Sequence, residues 1–231
     1  SKRHGDVSLR FYREGGYLPE AMFNYMSLLG WSYEAETTVF GRGEAIERFT
    51  LADVSKNPAV FDPEKLQWMN GVYIRSLPPE EFCARARPFL EAGLGRPLDE
   101  GEWAQFQAIG PLVQERVRLL TEVRGMVGFM FTVQLEIDDS SWAKVMRAET
   151  ASAVLDAAAG RLESLAEWDA LSIEEALRSM LESLQLGARK GLQPIRLAVT
   201  GSTVSPPLFE TLAVLGRERA LERLRDARAS L

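Results

Sequence analysis

Apolar residues recur at helical spacing along most of the chain, and proline, glycine and short polar residues punctuate them. Leu18, Met22, Tyr25, Met26 and Leu29 follow this spacing around Pro19, whose ring is tolerated in a first helical turn, and Gly30 closes the run. The pattern predicts one short amphipathic helix. Asp62, Pro63 and Glu64 read as an N-cap, a first-turn proline and an acid matched to the helix dipole. They open a helix through Leu66 and Met69 that Gly71 stops. Ser172 and Glu175 have the spacing of a capping box, with Ile173, Ala176, Leu177, Met180, Leu181 and Leu184 as the buried stripe behind it. Pro111 opens a helix that carries Arg116, and Ser140 or Ser141 begins an alanine-rich one from Trp142 to about Ala159. The last helix, Arg217 to Ala229, docks through Ala220, Leu221 and Leu224, with Arg217, Arg219, Arg223, Arg225 and Arg228 on its other face.

Strand signals are thin. Val127 to Ile137 is apolar and β-branched enough to form one, but it has no partner run nearby and reads more naturally as a buried connector. Pro78 and Pro79 break regular structure and mark the main boundary, with a weaker one near Gly125 to Gly128. No internal repeat or low-complexity tract is present. The expectation is an all-α, elongated array of helical layers, divided at 1–78, 79–127 and 128–231.

With 231 residues, 46% of them hydrophobic, the chain can bury substantial cores in one or two domains. Its single cysteine, Cys83, excludes an internal disulfide and leaves too few ligands for a Cys/His zinc site. No segment approaches the roughly 20 apolar residues of a membrane span, and the first thirty residues lack the order of a signal peptide. A soluble, cytoplasmic protein is expected. The net charge of −6 argues against a nonspecific nucleic-acid binder, so its distribution matters more than its sum. Gly128 to Ala188 holds 4 basic and 11 acidic side chains, whereas Arg189 to Leu231 holds 8 basic and 4 acidic. The tail is therefore the candidate RNA-facing surface, although on charge alone a solvated arginine-rich helix is the plainer reading.

Sequence blocks carry a more specific signal. S-K-R-H-G-D (Ser1 to Asp6), the Gly16 to Gly30 stretch beginning G-Y-L-P-E-A, and F-D-P-E-K-L-Q-W-M-N-G-V-Y-I-R (Phe61 to Arg75) resemble the stem-contact part of bacterial glutamyl-tRNA synthetases. E-R-V-R-L-L-T-E-V (Glu115 to Val123), L-Q-P-I-R-L-A-V-T-G-S (Leu192 to Ser202), S-P-P-L-F-E (Ser205 to Glu210) and L-G-R-E-R-A-L-E-R-L (Leu215 to Leu224) resemble that family's anticodon-binding region. The order is the family's own. On this resemblance 1–78 is a stem-contact domain, and 79–127 and 128–231 are two anticodon-binding helical subdomains.

What is missing is equally informative. A class I synthetase of this kind activates its amino acid on a Rossmann-type domain with an H-I-G-H-type element, yet His4 is the only histidine and no strand-glycine-helix phosphate cradle occurs. The resemblance thus implies the carboxy-terminal, tRNA-reading part of an ATP-dependent glutamate–tRNA ligase. By itself the chain is expected to be inactive. Its implied partners are a glutamate-accepting tRNA and an N-terminal catalytic domain, with no DNA or membrane partner, in a monomer. No cofactor is expected in the chain itself; ATP and Mg serve the intact enzyme. A freestanding helical RNA-binding or protein-interaction module of the same ancestry is the alternative.

The resemblance also assigns roles to residues. Lys2 matches the lysine of a loop ending S-K-R or S-K-S, where an ammonium over the ATP phosphates offsets the charge that develops as pyrophosphate leaves. Ser1 and Arg3 belong to that loop, and in the isolated chain all three are expected to be merely solvated, as is His4. Arg116 matches the arginine that reads the third anticodon base, a task suited to a planar donor fork that meets an unpaired base. The plainer alternative pairs it with Glu115 or Glu122 of its own helix. Arg196 matches an arginine of the second anticodon-facing helix. Ser205, Pro206 and Leu208 match the segment that contacts the anticodon, the hydroxyl as hydrogen-bonding group and the apolar faces as stacking surfaces. Many relatives carry threonine at Ser205, and Val204 and the doubled Pro206 and Pro207 are further departures. A simple helix-to-helix turn would also place glycine and proline there. Among the tryptophans, Trp68 is expected to pack with Tyr73 in the stem-contact core.

Overall fold

The computed structural model describes residues 8–34, 37–56 and 58–231. Among these residues there are thirteen α-helices, three short 3-10 turns and no strand, so the all-α expectation holds. The chain divides into two compact units, one of residues 1–90 with 114–123 and one of 91–113 with 124–231.

The first unit contains α1 (Leu9–Glu14), α2 (Pro19–Leu28), α3 (Arg42–Arg48), α4 (Pro63–Ser76) and the start of α5 (Pro79–Leu94). Pro19 and Pro63 occupy first-turn positions as expected, and the Asp62 carboxylate accepts from the amides of Glu64 and Lys65. Met22 and Tyr25 of α2 pack on Leu66 and Met69 of α4, with Tyr12, Tyr17 and Tyr73 around them. Met26 lies off this face and is exposed, so it leaves the expected stripe. Gly71 does not stop α4, which continues to Ser76. A Cβ at Gly71 would come within 3.2 Å of the Arg118 and Arg75 side chains, so the glycine permits a close approach instead of ending the helix. Trp68 is 44% exposed and stands outside the core, contrary to expectation. Tyr73 is half-buried against that cluster, its hydroxyl 2.7 Å from the Phe40 carbonyl and 2.8 Å from Asn24 Oδ1. Leu77 and Pro78 separate α4 from α5, whose first residue is Pro79.

The second unit contains α6 (Glu100–Gln114), α7 (Val123–Val127), α8 (Asp139–Val145), α9 (Ala151–Glu163), α10 (Ala170–Ser183), α11 (Ala188–Thr200), α12 (Leu208–Leu215) and α13 (Arg217–Ala229), apart from the last residue of α6 and the first of α7. The helix α9 packs against α10, α11 and α13, and Val154, Leu155, Ala158 and Leu162 meet Ile173, Leu177, Ile195, Val199 and Leu224 in one core. Several expected boundaries move. Asp169, not Ser172, caps α10 by accepting from the amides of Leu171 and Ser172; the helix begins earlier because a carboxylate at that position can take two orphan N–H groups at once. The alanine-rich helix is two helices, turned at Met146, whose side chain fills the core at the corner. Pro111 sits inside α6 rather than opening a helix. The Val127–Ile137 segment is no strand: Gly128–Phe131 makes a buried 3-10 turn, and beyond it Val133, Gln134 and Glu136 are exposed.

Candidate nucleic-acid interface

The helix α6 ends at Gln114, and Arg116 follows in a turn. Several groups fix this turn within the first unit. The buried Gln114 side-chain amide donates to the carbonyls of Ile74 and Leu77 at 2.7 and 2.8 Å, at the carboxyl end of α4, where carbonyls lack helical partners. The buried Asn70 amide donates to the Arg118 carbonyl at 2.6 Å while its oxygen accepts from the Leu18 amide at 2.7 Å. One carboxylate oxygen of Glu122 accepts the amides of Arg118 and Leu119, and the Leu120 amide donates to the Gly16 carbonyl at 3.1 Å. Between these anchors Arg116 is exposed, and among the described residues it makes no hydrogen bond or ion pair. The expected helix around Arg116 is absent because the chain has already turned. The alternative pairing with Glu115 or Glu122 of its own helix therefore fails.

In the second unit α11 brings Arg196 to the loop that follows it. The Arg196 guanidinium donates to the Ser205 hydroxyl and, at 2.9 Å, to the Pro206 carbonyl. Gly201 makes this loop possible: its φ of +74° suits glycine, and a Cβ there would stand 2.3 Å from the Glu136 carbonyl oxygen. The structure thus joins Arg196 of the helix to Ser205 and Pro206 of the loop, residues that the resemblance names separately. The side chains of Ser205, Pro206 and Leu208 face inward, however. Ser205 and Leu208 are each 3% exposed and Pro206 is also buried, with Leu208 packed into the core. Within this loop the exposed side chain is Val204. Just outside it, one oxygen each of Gln193 and Glu210 is buried without a hydrogen-bond partner.

Each arginine of α13 has a partner within its own unit, although the pairs of Arg225 and Arg228 lie at the surface. Arg217 donates to the Leu165 carbonyl and lies over the Trp168 ring, Arg219 donates to the carbonyls of Met130 and Thr132, and Arg225 and Arg228 pair with Glu163 and Asp156. Arg223 is only 7% exposed and holds the carbonyls of Val199 and Phe129 at 2.6 and 2.7 Å. Burial, with the neighbouring Arg219 charge, pushes its guanidinium down to about 10. Helical periodicity places Arg223 on the polar face, and no local signal warns of the 3-10 turn whose carbonyls draw it inward.

Ser1, Lys2, Arg3 and His4 lie outside the described residues. No cluster of metal-ligating side chains occurs among the described residues. None of the described helices is long and apolar enough to cross a membrane. Burial raises the Cys83 thiol to about 11, which favours the thiol over the thiolate at neutral pH.

Comparison with known proteins accounts for the order of the blocks. A family model of the anticodon binding domain matches residues 81–228, and one of the catalytic domain of class I tRNA synthetases (E and Q) matches residues 1–68. The chain is 44% identical over 230 residues to the glutamate–tRNA ligase of Mycolicibacterium smegmatis, covering 99% of this chain and 46% of that protein. It is 45% identical to the glutamate–tRNA ligase of Roseiflexus sp., covering 100% of this chain and 46% of that protein. The chain spans about half the length of the curated relatives it matches. The crystal structure of a glutamate tRNA ligase from Elizabethkingia meningosepticum superposes with a TM-score of 0.83 at 25% identity, over 95% of this chain and 43% of that one. The chain belongs to the anticodon binding domain family, and along nearly its whole length it is homologous to glutamate–tRNA ligases.

Proposed function

We infer that this chain is the tRNA-reading part of a glutamate–tRNA ligase, which orients the acceptor stem and checks the anticodon while another part of the enzyme activates glutamate with ATP. The observation that carries the reading is Arg116, an exposed guanidinium without a partner among the described residues, held on a turn whose backbone is anchored on several sides. Such a fork can donate to the edge of an unpaired base or stack on its face. In this reading 1–78 contacts the stem and 79–127 and 128–231 form the anticodon-binding subdomains. Arg196, Ser205, Pro206 and Leu208 shape the floor of the second surface, and a base reaches them only if the loop around Val204 opens. ATP and Mg belong to the loop of Ser1, Lys2 and Arg3 in the intact enzyme, and the protein works as a cytoplasmic monomer.

Binding of a glutamate tRNA transcript tests this directly. Affinity should fall as salt rises, because phosphate contacts release counterions. Arg116→Gln should weaken binding by about 1 to 3 kcal/mol, the worth of a good contact to a base edge, and should narrow the gap between glutamate and glutamine tRNAs. An unchanged affinity and an unchanged gap would refute the assignment of Arg116. ATP and glutamate added to the chain alone should give no adenylate.

A further inference from the structure

We propose that Asn70 of α4 is a positioning residue for Arg116, with Glu122 closing the same turn; this rests on the RNA-reading role given to Arg116 above. Asn70 is fully buried, and it spends both ends of its amide on backbone. Its oxygen holds the Leu18 amide at 2.7 Å and its nitrogen holds the Arg118 carbonyl at 2.6 Å, two residues from Arg116. A buried amide serves here because it alone offers a donor and an acceptor at fixed separation to two backbone segments far apart in sequence. Gly71, the next residue, lets the Arg118 backbone approach: a Cβ there would lie 3.5 Å from Arg118 Cα and 3.2 Å from its Cγ. Glu122 closes the other side by accepting the amides of Arg118 and Leu119 at 2.7 and 3.2 Å. An exposed arginine on a loose turn would lose rotational and backbone freedom on meeting a base, whereas one on a clamped turn loses mainly its side-chain freedom. The α4 segment, matched in sequence to stem contact, thereby sets the geometry of a base-reading side chain.

Asn70→Asp isolates the effect. One carboxyl oxygen still accepts from the Leu18 amide, while the other, in place of the amide nitrogen, cannot donate to the Arg118 carbonyl without first taking up a proton. Affinity for a glutamate tRNA transcript, measured well below each variant's unfolding midpoint, should fall roughly tenfold in the Arg116 protein and less than about twofold in the Arg116→Gln background, since coupled residues are not additive. Equal losses in the two backgrounds, or no loss in a folded Asn70→Asp protein whose Arg116→Gln counterpart binds weakly, would overturn the positioning role alone. Arg116→Gln binding as well as the parent would overturn the functional reading and the inference with it. If Asn70→Asp does not fold, Glu122→Ala takes its place and should show the same background dependence, with Glu122→Gln, which keeps an acceptor oxygen, restoring affinity. Failure of that rescue, or equal losses in both backgrounds, would likewise count against the proposal.

Discussion

Arg116 in the first unit and the five arginines of α13 in the second are opposite uses of one side chain. The sequence concentrates positive charge in the tail, so counting alone points there. Yet each guanidinium of α13 meets a carbonyl or a carboxylate of its own unit, while Arg116, in a stretch of no special charge, is exposed and unpartnered among the described residues. Charge available to a ligand is what remains after internal acceptors are served. A helix whose arginines satisfy the carbonyl ends of a 3-10 turn and of α11 acts as internal cement, because those carbonyls have no helical partners of their own.

The largest effect should come from Arg223→Met. The carbonyls of Val199 and Phe129 would lose their donors inside the protein, and leaving buried acceptors unsatisfied costs about 3 kcal/mol in all. Urea unfolding should show a lower midpoint with an unchanged slope. Near-wild-type stability combined with a large loss of RNA affinity would break the comparison, since it would make Arg223 a ligand contact. Gly201→Ala should follow at about 2 kcal/mol, combining a left-handed backbone with a methyl carbon 2.3 Å from the Glu136 carbonyl oxygen. The thermal midpoint of the purified variant checks it, and an unchanged midpoint would mean that the loop before Ser205 is not held as described.

A sharper version of the comparison pairs Arg116→Gln with Arg225→Gln and Arg228→Gln. Replacement of Arg225 or Arg228 removes one exposed ion pair, worth at most about 1 kcal/mol, and should change tRNA affinity less than about twofold. The Arg116 replacement should change affinity about tenfold and stability hardly at all. Filter-binding titrations at a single salt concentration decide it. Equal losses at all three positions would return the tail to the interface.

How much of this was legible beforehand follows from range. Pro19, Asp62 with Pro63, and the span of α13 stand where composition and spacing put them, because caps and first-turn prolines act within four residues. Local signals mislead where a distant neighbour decides. Gly71 looks like a stop until Arg118 approaches it, and Trp68 looks like core until Leu66 and Met69 fill the place. Arg223 looks solvent-facing until the 128–131 turn arrives beneath it. For the candidate interface, the family blocks name Arg196, Ser205, Pro206 and Leu208, but nothing in them says that Arg196 donates to Ser205 and Pro206 or that Ser205, Pro206 and Leu208 are buried. Asn70 lies inside a quoted block, yet nothing local marks it as the residue that spans Leu18 and Arg118.

The smallest effect is expected in acid, and it separates the two units by one ion pair each. Arg85 donates to both oxygens of Glu20 at 3.0 and 2.9 Å, and Arg96 to both oxygens of Glu102 at 2.7 and 2.6 Å. In each case the hydrogen bond to arginine is the main cause that holds the carboxyl below its ordinary value of 4.5. A carboxylate whose folded value is depressed binds protons more readily when unfolded. Its contribution is thus complete above about pH 4.5 and disappears as pH falls through the lower folded value. Both pairs are partly exposed, so each contributes under about 1 kcal/mol. Arg96 also donates to the Phe131 carbonyl at 2.9 Å, which ties its pair to the turn that Arg219 and Arg223 hold. Glu102→Gln should therefore flatten the acid limb of stability more than Glu20→Gln does, as read by urea midpoints from pH 6 down to pH 3. The opposite ranking would place the more tightly held carboxylate in the first unit and remove Arg96 from the set of arginines that brace the second.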